Sequence, residues 1–203
     1  MPEMDARFFL RWLEAMTAAV DREASRLTEL DSPIGDADHG SNMRRGFTAV
    51  AVSLTQTPPA TPGEVLKEAG RTLVAKVGGA SGPLYGTLLR STGKALGDAE
   101  RVDGPGLCAA LRAGVDAVGQ LGGAVPGDKT MLDALTPGVD ALPESVEAAR
   151  EAAAKGSEAT IPLLARRGRA SYLGERSIGH EDPGAASSAL LFATLAEVAA
   201  DVR

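Results

Sequence analysis

Apolar residues near the start of the chain recur every three or four positions, and charged residues occupy many of the positions between them. This spacing places the apolar side chains on one face of a helix, so it predicts an amphipathic helix over residues 5–30. The opposite, charged face is expected to contact solvent. The apolar face consists of Phe8, Trp12, Leu13, Met16, Val20, Leu27 and Leu30.

Seven further segments show the same helical pattern. The second is expected to end at TQTPPATP, because proline cannot continue a helix, whereas the seventh is expected to run through Pro162. No segment predicts a strand. Without a repeat or a shift in composition, residues 1–203 are expected to form a single all-α domain. The predicted helices after the first cover residues 40–54, 62–77, 83–96, 106–118, 131–142, 144–166 and 185–202.

The composition favours a helical core and excludes some partners. Hydrophobic residues make up 44% of the chain but aromatic residues only 3%. The core must therefore consist mainly of small aliphatic side chains, which let helices approach closely. A net charge of -6 without a long basic run argues against a nucleic-acid surface. The apolar stretch SSALLFATLAEVAA is interrupted by Glu197, which favours a core helix over a membrane span.

Two features lead us to expect a cytoplasmic protein. The first residues, MPEMDARFFL, carry acids where a secretory signal would carry bases. The single cysteine, Cys108, cannot form an internal disulfide, which agrees with a reducing compartment. No membrane partner is therefore expected.

The segment LTELDSPIGDADHGSNM, residues 27–43, concentrates acidic residues between the first two predicted helices. Asp31, Asp36 and Asp38 lie at spacings of five and two on a loop that Gly35 can bend. Like charges this close repel, and carboxylate oxygens together with phosphates are typical ligands of Mg²⁺. Alternatively, Asp38 caps the second helix while Asp31 ends the first. The spacing alone leaves both interpretations open.

Glycine-rich segments and arginines provide candidate phosphate contacts. The stretch GGASGP leads directly into a predicted helix, where backbone N–H groups can bind an anion, although an ordinary turn between helices has the same composition. Arg166, Arg167 and Arg169 begin a long loop over residues 166–184, where a guanidinium can hold a phosphate or simply face solvent. Together with the carboxylates, these signals favour a nucleoside diphosphate site.

Four motifs, IGDADHGSNMRRGF, VGGASGPLYGT, PGDKTM and GRASYLGERSIGHEDPGA, resemble in content and order those of the nucleotide-binding L subunits of dihydroxyacetone kinases. The likeness extends from the first predicted helix to the last. It implies a closed barrel of eight amphipathic, antiparallel helices with the nucleotide at one end. It also implies that Asp31, Asp36 and Asp38 hold two Mg²⁺ ions.

The resemblance assigns further residues to the nucleotide. Arg169 matches a phosphate-facing arginine of the family and is the candidate catalytic residue. The residues implied to contact ADP are His39, Gly40, Ser41, Asn42, Ala80, Ser81, Gly122, Met131, Arg169, Asp182, Pro183 and Gly184.

The resemblance also implies a phosphoryl relay in glycerol metabolism. ADP stays bound as a cofactor, becomes ATP when a phosphohistidine protein (the M subunit) phosphorylates it, and passes the group to dihydroxyacetone held on a K subunit. Association into a homodimer is left open. Two alternative functions also stay open: an ATP-dependent kinase domain for a related short ketose, and a nucleotide-binding module that regulates a partner protein.

Overall fold

The computed structural model describes residues 3–201 and confirms the all-α prediction. Over this range the chain contains eight α-helices, and a 3-10 helix, Arg169–Ser177, precedes the last of them. The α-helices are α1 (Ala6–Asp31), α2 (His39–Gln56), α3 (Pro62–Lys76), α4 (Ser81–Leu96), α5 (Gly104–Gly122), α6 (Leu132–Ala141), α7 (Val146–Glu158) and α8 (Pro183–Ala200).

The eight α-helices form a closed, antiparallel ring. Each helix packs against the next along the chain, and α8 completes the ring by packing against both α7 and α1. Across this closure, the indole N–H of Trp12 donates a 2.9 Å hydrogen bond to the carbonyl oxygen of Leu191. The interior is a cluster of buried apolar side chains from all eight helices, among them Phe9, Phe47 and Leu195.

Antiparallel order divides the helix N-termini into two groups. Helices α1, α3, α5 and α7 begin at one end of the ring, where Asp5, Thr61, Asp103 and Ser145 each accept a backbone N–H from the first turn that follows. Such side-chain caps typically stabilise a helix by about 1 kcal/mol each. Helices α2, α4, α6 and α8 begin at the opposite end.

Helix α7 is shorter than predicted. It ends at Glu158 and not near residue 166, and residues 159–162 form turns. Pro162 has no N–H to continue the helix. The carbonyl oxygens of Thr160 and Leu163 accept hydrogen bonds from the side chain of Lys129 instead. A contact with a distant residue therefore stabilises the turn.

Helix α8 begins at Pro183, two residues before the predicted start. Asp182 caps it by accepting the N–H of Ala185 at 2.7 Å. The predicted end at Val202 lies outside the described residues. By length and mean hydropathy, 1.3, α8 could cross a membrane, but 61% of it is buried inside the ring. This burial is expected of a core helix.

A short antiparallel ladder joins β1 (Met4–Asp5) to β2 (Arg101–Val102). Met4 lies opposite Val102, and both side chains are buried. The prediction that the chain has no strand is therefore wrong at this point. Two residues per strand are too few to show an alternating pattern, so periodicity could not reveal the ladder.

Helices α3 and α4 pack against each other along glycines. Gly70 faces Gly86, and Gly63 faces Gly93, so that the backbones of the two helices approach closely. A methyl group added at any of these four positions would come within 2.8 Å of a carbonyl oxygen on the other helix. The close packing of these two helices therefore depends on residues without side chains, which agrees with the low aromatic content of the chain.

We predict that Gly93→Ala destabilises the fold although alanine favours helices. The new methyl group would lie 2.5 Å from the carbonyl oxygen of Gly63 and 3.0 Å from the backbone nitrogen of Lys67. Overpacking of this kind costs about 1–3 kcal/mol, against a propensity gain of roughly 1 kcal/mol. Urea unfolding followed by circular dichroism measures the net change in the free energy of unfolding.

The matched control is Gly122→Ala in α5, where the added methyl group has no neighbour closer than 3.8 Å. This control is expected to keep or slightly raise the stability. If Gly93→Ala were as stable as the control, α3 and α4 could not be packed as closely as described.

Candidate functional site

A cavity of about 400 Å³ opens at the end of the ring where α2, α4, α6 and α8 begin. Residues from the starts of all four helices line it, together with the glycine-rich segment 78–81. The first N–H groups of a helix have no partner within the helix and carry a partial positive charge. Four such ends around one cavity favour an anionic ligand.

Within residues 3–201, three of these four N-termini lack the kind of cap found at the other end of the ring. The residues at the N-cap positions of α2, α4 and α6 are Asp38, Ala80 and Met131, and their side chains accept no hydrogen bond from the helix. Helix α8 is capped by Asp182. The uncapped ends suit a ligand that brings its own oxygen acceptors.

Three carboxylates meet beside the start of α2. Asp31 is the last residue of α1, Asp36 and Asp38 follow on the connecting loop, and one oxygen from each lies within 4.8 Å of the others. Asp31 is buried, Asp38 is half-buried and Asp36 is exposed. Such oxygen donors fit Mg²⁺, and the adjacent helix ends would attract the phosphates that complete its coordination.

Asp31, and not Asp38, binds the start of α2. Its Oδ2 accepts the backbone N–H of Asp38 at 2.9 Å and that of His39 at 3.2 Å. Asp38 occupies the N-cap position, but its carboxylate accepts no hydrogen bond from the helix. The alternative that the Asp38 side chain serves as the cap is therefore wrong, and this carboxylate stays available to a ligand.

Two backbone features bring the carboxylates together. Gly35 packs so closely against Asp31 that a Cβ atom would lie 1.9 Å from Oδ1 of the carboxylate. Ala37 has a φ angle of 58°, in the left-handed region that non-glycine residues rarely adopt. The chain therefore turns sharply between Asp36 and Asp38. Backbone strain of this kind is often found at functional sites.

Arg169 joins the 3-10 helix to the loop between α1 and α2, residues 32–38, which we call the carboxylate loop. Its Nη2 lies 2.9 Å from Oδ2 of Asp36, and its side chain is 69% exposed. An exposed ion pair adds little stability, so its main effect is to position the guanidinium at the mouth of the cavity. The neighbouring Arg167 donates from Nε to the carbonyl oxygen of Gly123 at 2.6 Å. Arg166 is exposed and does not line the cavity.

His39 lies at the inner wall of the cavity in a chain of hydrogen bonds. Its Nδ1 lies 3.2 Å from Oγ of Ser81, and its Nε2 lies 2.9 Å from Oγ of Ser187. The Ser187 hydroxyl donates to the carbonyl oxygen of Gly184 and also lies 2.7 Å from the Tyr85 hydroxyl. When Ser187 uses its single proton for the Gly184 carbonyl, Nε2 of His39 donates to Ser187. Nδ1 then accepts from Ser81.

Burial controls the charge of the groups around the cavity. Desolvation lowers the pKa of His39, although the charges of Asp31 and Asp38 act in the opposite direction, so the imidazole is neutral at pH 7. Burial raises the pKa of Asp182 to about 7 and that of Tyr85 to about 12. The inner wall of the cavity is therefore less charged than its rim.

The cavity brings together most of the residues implied by the resemblance. Gly40, Ser41 and Asn42 do not line it. They lie in the first turn of α2, where Gly40 is packed against α1, Ser41 is exposed, and the Asn42 side-chain oxygen accepts from Arg45 at 2.7 Å. The implied residues that do line the cavity are Asp31, Asp36, Asp38, His39, Ala80, Ser81, Gly122, Met131, Arg169, Asp182, Pro183 and Gly184.

Three buried polar residues close to the cavity were not predicted from the sequence. Tyr85 and Ser187 belong to the hydrogen-bond chain behind His39, and Lys129 is 1% exposed in the loop before α6. The available signals were polar residues in apolar helices and a lysine within PGDKTM. These signals do not show which distant groups will form hydrogen bonds with the side chains.

Comparison with known proteins identifies the family. The family model described as "DAK2 domain" matches residues 33–197. PEP-dependent dihydroxyacetone kinase 1, ADP-binding subunit DhaL, of Listeria innocua is 45% identical over 188 residues, which cover 93% of this chain and 94% of the relative. PEP-dependent dihydroxyacetone kinase, ADP-binding subunit DhaL, of Escherichia coli is 43% identical and covers 92% of this chain and 94% of its own length.

A solved structure agrees in fold. The crystal structure of the dihydroxyacetone kinase from C. freundii in complex with AMP-PNP and Mg²⁺ matches with a TM-score of 0.77 at 29% identity. The match covers 97% of this chain and 34% of the other. These likenesses confirm the resemblance found in the four motifs. The chain therefore belongs to the DAK2 domain family and, within it, to the dihydroxyacetone kinase subunits of the DhaL type.

Proposed function

We propose that this chain is the ADP-binding subunit of a phosphoenolpyruvate-dependent dihydroxyacetone kinase in glycerol metabolism. It holds ADP as a cofactor, receives a phosphoryl group from a phosphohistidine M subunit, and delivers the group to dihydroxyacetone held on a K subunit. The observation that carries this proposal is the meeting, in one cavity, of three carboxylates with three helix N-termini whose own N-cap side chains make no cap hydrogen bond. The names of the full-length relatives support the choice of reaction.

The proposal includes a cellular and structural setting. Residues 1–203 act as one domain, which is supported by a hydrophobic cluster that draws on all eight helices. The protein acts in the cytoplasm without a nucleic-acid or membrane partner, in keeping with its net charge of -6. All the proposed site residues come from one copy of the chain, so the site does not require a homodimer. Measurement of the molecular mass in solution would determine the oligomeric state.

In this proposal Asp31, Asp36 and Asp38 hold two Mg²⁺ ions beside the start of α2. Mg²⁺ held by these carboxylates would neutralise phosphate charge during phosphoryl transfer. The free N–H groups at the start of α4 bind the phosphates, since helix N-termini favour anions. His39 and Ser81 line the same part of the cavity and orient the phosphates and sugar.

Arg169 is the proposed catalytic residue. Its guanidinium already lies beside the carboxylate loop, 2.9 Å from Asp36, and its exposed side chain can turn toward a phosphoryl group at the cavity mouth. The planar fork of an arginine can hold two phosphoryl oxygens together, which a lysine cannot do. Gly122, Met131 and the segment 182–184 complete the pocket.

A second candidate is an ATP-dependent kinase domain for a short ketose related to dihydroxyacetone. It is favoured by the likeness to the C. freundii kinase, in which this fold corresponds to about a third of the chain and AMP-PNP is bound with Mg²⁺. A regulatory nucleotide-binding module would use the same cavity. The two kinase candidates differ in whether the nucleotide leaves during each catalytic cycle.

We predict that replacing any one of Asp31, Asp36 or Asp38 by Asn weakens Mg²⁺–ADP binding by roughly tenfold or more, because a carboxylate charge is lost from a shared site. Pairs of substitutions should be non-additive by about 0.5–3 kcal/mol, as expected for groups that share a ligand. Calorimetric titration of the nucleotide-free protein with Mg²⁺ and ADP measures these affinities.

Asp140→Asn is the matched control, because Asp140 is exposed, pairs with Arg112 and does not line the cavity. It should bind Mg²⁺–ADP as the wild type does. Unchanged binding in all three single variants of the triad would exclude the proposed metal site.

We also predict that Arg169→Lys slows phosphoryl transfer by roughly tenfold or more and changes ADP affinity much less, because the charge stays while the fork is lost. Single-turnover transfer to dihydroxyacetone in the presence of a K subunit measures the rate. Arg166→Lys, in the same loop but outside the cavity, is the control. Equal rates for the two variants would assign Arg169 to the solvent-facing group of arginines.

A further inference from the structure

Lys129 carries a buried charge that the proposed function does not use. It lies in the loop between α5 and α6, is 1% exposed, and has a φ angle of 63° in the left-handed region. Burial lowers the pKa of this lysine, while the negative charges of Asp182 and Asp133 act in the opposite direction. A buried ammonium is unfavourable unless its N–H groups are bonded, so its partners indicate its role.

The partners of this ammonium are main-chain carbonyl oxygens. Nζ donates to the carbonyl of Thr160 at 2.8 Å, to that of Leu163 at 3.2 Å and, at the shortest distance, to that of His180. The carbonyl of Ile161 lies at 3.4 Å. An ammonium has three N–H groups, and the three shortest contacts use all of them. Lys129 therefore has no donor left for a phosphate in the cavity.

These carbonyls lie near the two ends of one loop, residues 164–182, which we name the arginine loop because it contains Arg169. Thr160 and Leu163 precede the loop, and His180 lies two residues before its end. One cation thus bonds to the backbone that enters the loop and to the backbone that leaves it.

Further hydrogen bonds close the same base. The N–H of Gly179 donates to the carbonyl of Ile161 at 2.8 Å, and the N–H of Asp182 donates to Oγ1 of Thr160 at 2.9 Å. Without the ammonium, the carbonyl oxygens around it would face one another without a donor, which buried acceptors rarely tolerate. Loss of the ammonium should therefore open the base of the arginine loop.

We propose that Lys129 is a positioning residue whose ammonium closes the base of the arginine loop and thereby places Arg169 and Asp182 at the cavity. Its effect on the nucleotide rests on the proposed function, whereas its effect on the loop does not. The surrounding carbonyls form a cage for one ammonium group. A small primary alkylammonium ion is therefore the class of ligand that should enter the cage once the lysine side chain is removed.

The test is Lys129→Gly, because a φ angle of 63° is favourable for glycine and the change introduces no backbone strain. Amide hydrogen exchange over residues 164–182 should become about tenfold faster or more, while exchange in α2–α4 stays unchanged. ADP should dissociate about tenfold faster or more. Butylammonium, which supplies the four carbons and the nitrogen that glycine lacks, should reverse both effects.

Two controls separate the cage from general packing. Lys129→Met has no charge but retains most of the side-chain stem, so it should loosen the loop without responding to butylammonium. Butyltrimethylammonium has the charge but no N–H group, so it should not rescue Lys129→Gly. Unchanged exchange over residues 164–182 in Lys129→Gly, or equal rescue by both ammonium ions or by neither, would overturn the proposal.

A measurement on the wild-type protein covers the case in which the variants do not fold. The Lys129 ammonium should give a slowly exchanging proton–nitrogen signal in ¹⁵N-labelled protein without nucleotide, and rapid exchange of this ammonium would also overturn the proposal. If the wild type failed to bind ADP, the proposed function would fail. The exchange and rescue experiments on nucleotide-free protein would still decide the role of Lys129.

Discussion

An antiparallel ring with an even number of helices sends every second N-terminus to the same end. In this chain that end receives α2, α4, α6 and α8, and the N-cap residues of the first three accept no hydrogen bond from the helix through their side chains. The helices that begin at the opposite end are each capped by their own N-cap residue. Unbonded N–H groups are unfavourable, and phosphate oxygens can satisfy them. Ring closure therefore determines both the position of the cavity and the charge of the ligand it suits.

The charged residues around this cavity act mainly on loops. Asp31 uses one carboxylate oxygen to bind the start of α2, which brings Asp36 and Asp38 beside it. Arg169 joins the arginine loop to Asp36 at the rim, and Lys129 joins the base of the same loop to the segment before α6. A ligand that engages Asp36 would change the rim contact and leave the buried contact in place. The loop is therefore held by an exposed contact at its rim and by a buried contact at its base.

The parts of the fold that depend on local patterns could be predicted from the sequence. Helices α1 to α6 follow from apolar periodicity and from prolines and glycines at their ends, and the triad from Asp31 to Asp38 is visible because it spans eight consecutive positions. Ring closure was implied by the resemblance and not by periodicity. Pro162 is a local signal for the end of α7, whereas the bonding of the turn that follows by Lys129, 31 residues away from Thr160, could not be predicted. For the same reason, local patterns do not show which distant hydroxyl groups bond to His39.

The proposed function requires the nucleotide to stay bound as a cofactor, and turnover with and without a phosphohistidine donor is the sharpest test of this requirement. This chain, a K subunit, dihydroxyacetone and excess Mg²⁺–ATP are mixed, and phosphorylated dihydroxyacetone is measured against the amount of this chain. With a retained nucleotide, no more than one phosphoryl group should be transferred per copy of the chain until the M subunit and its own phosphoryl donor are added, after which turnover should continue. Sustained multiple turnover with ATP alone would exclude a retained nucleotide and favour the ATP-dependent kinase.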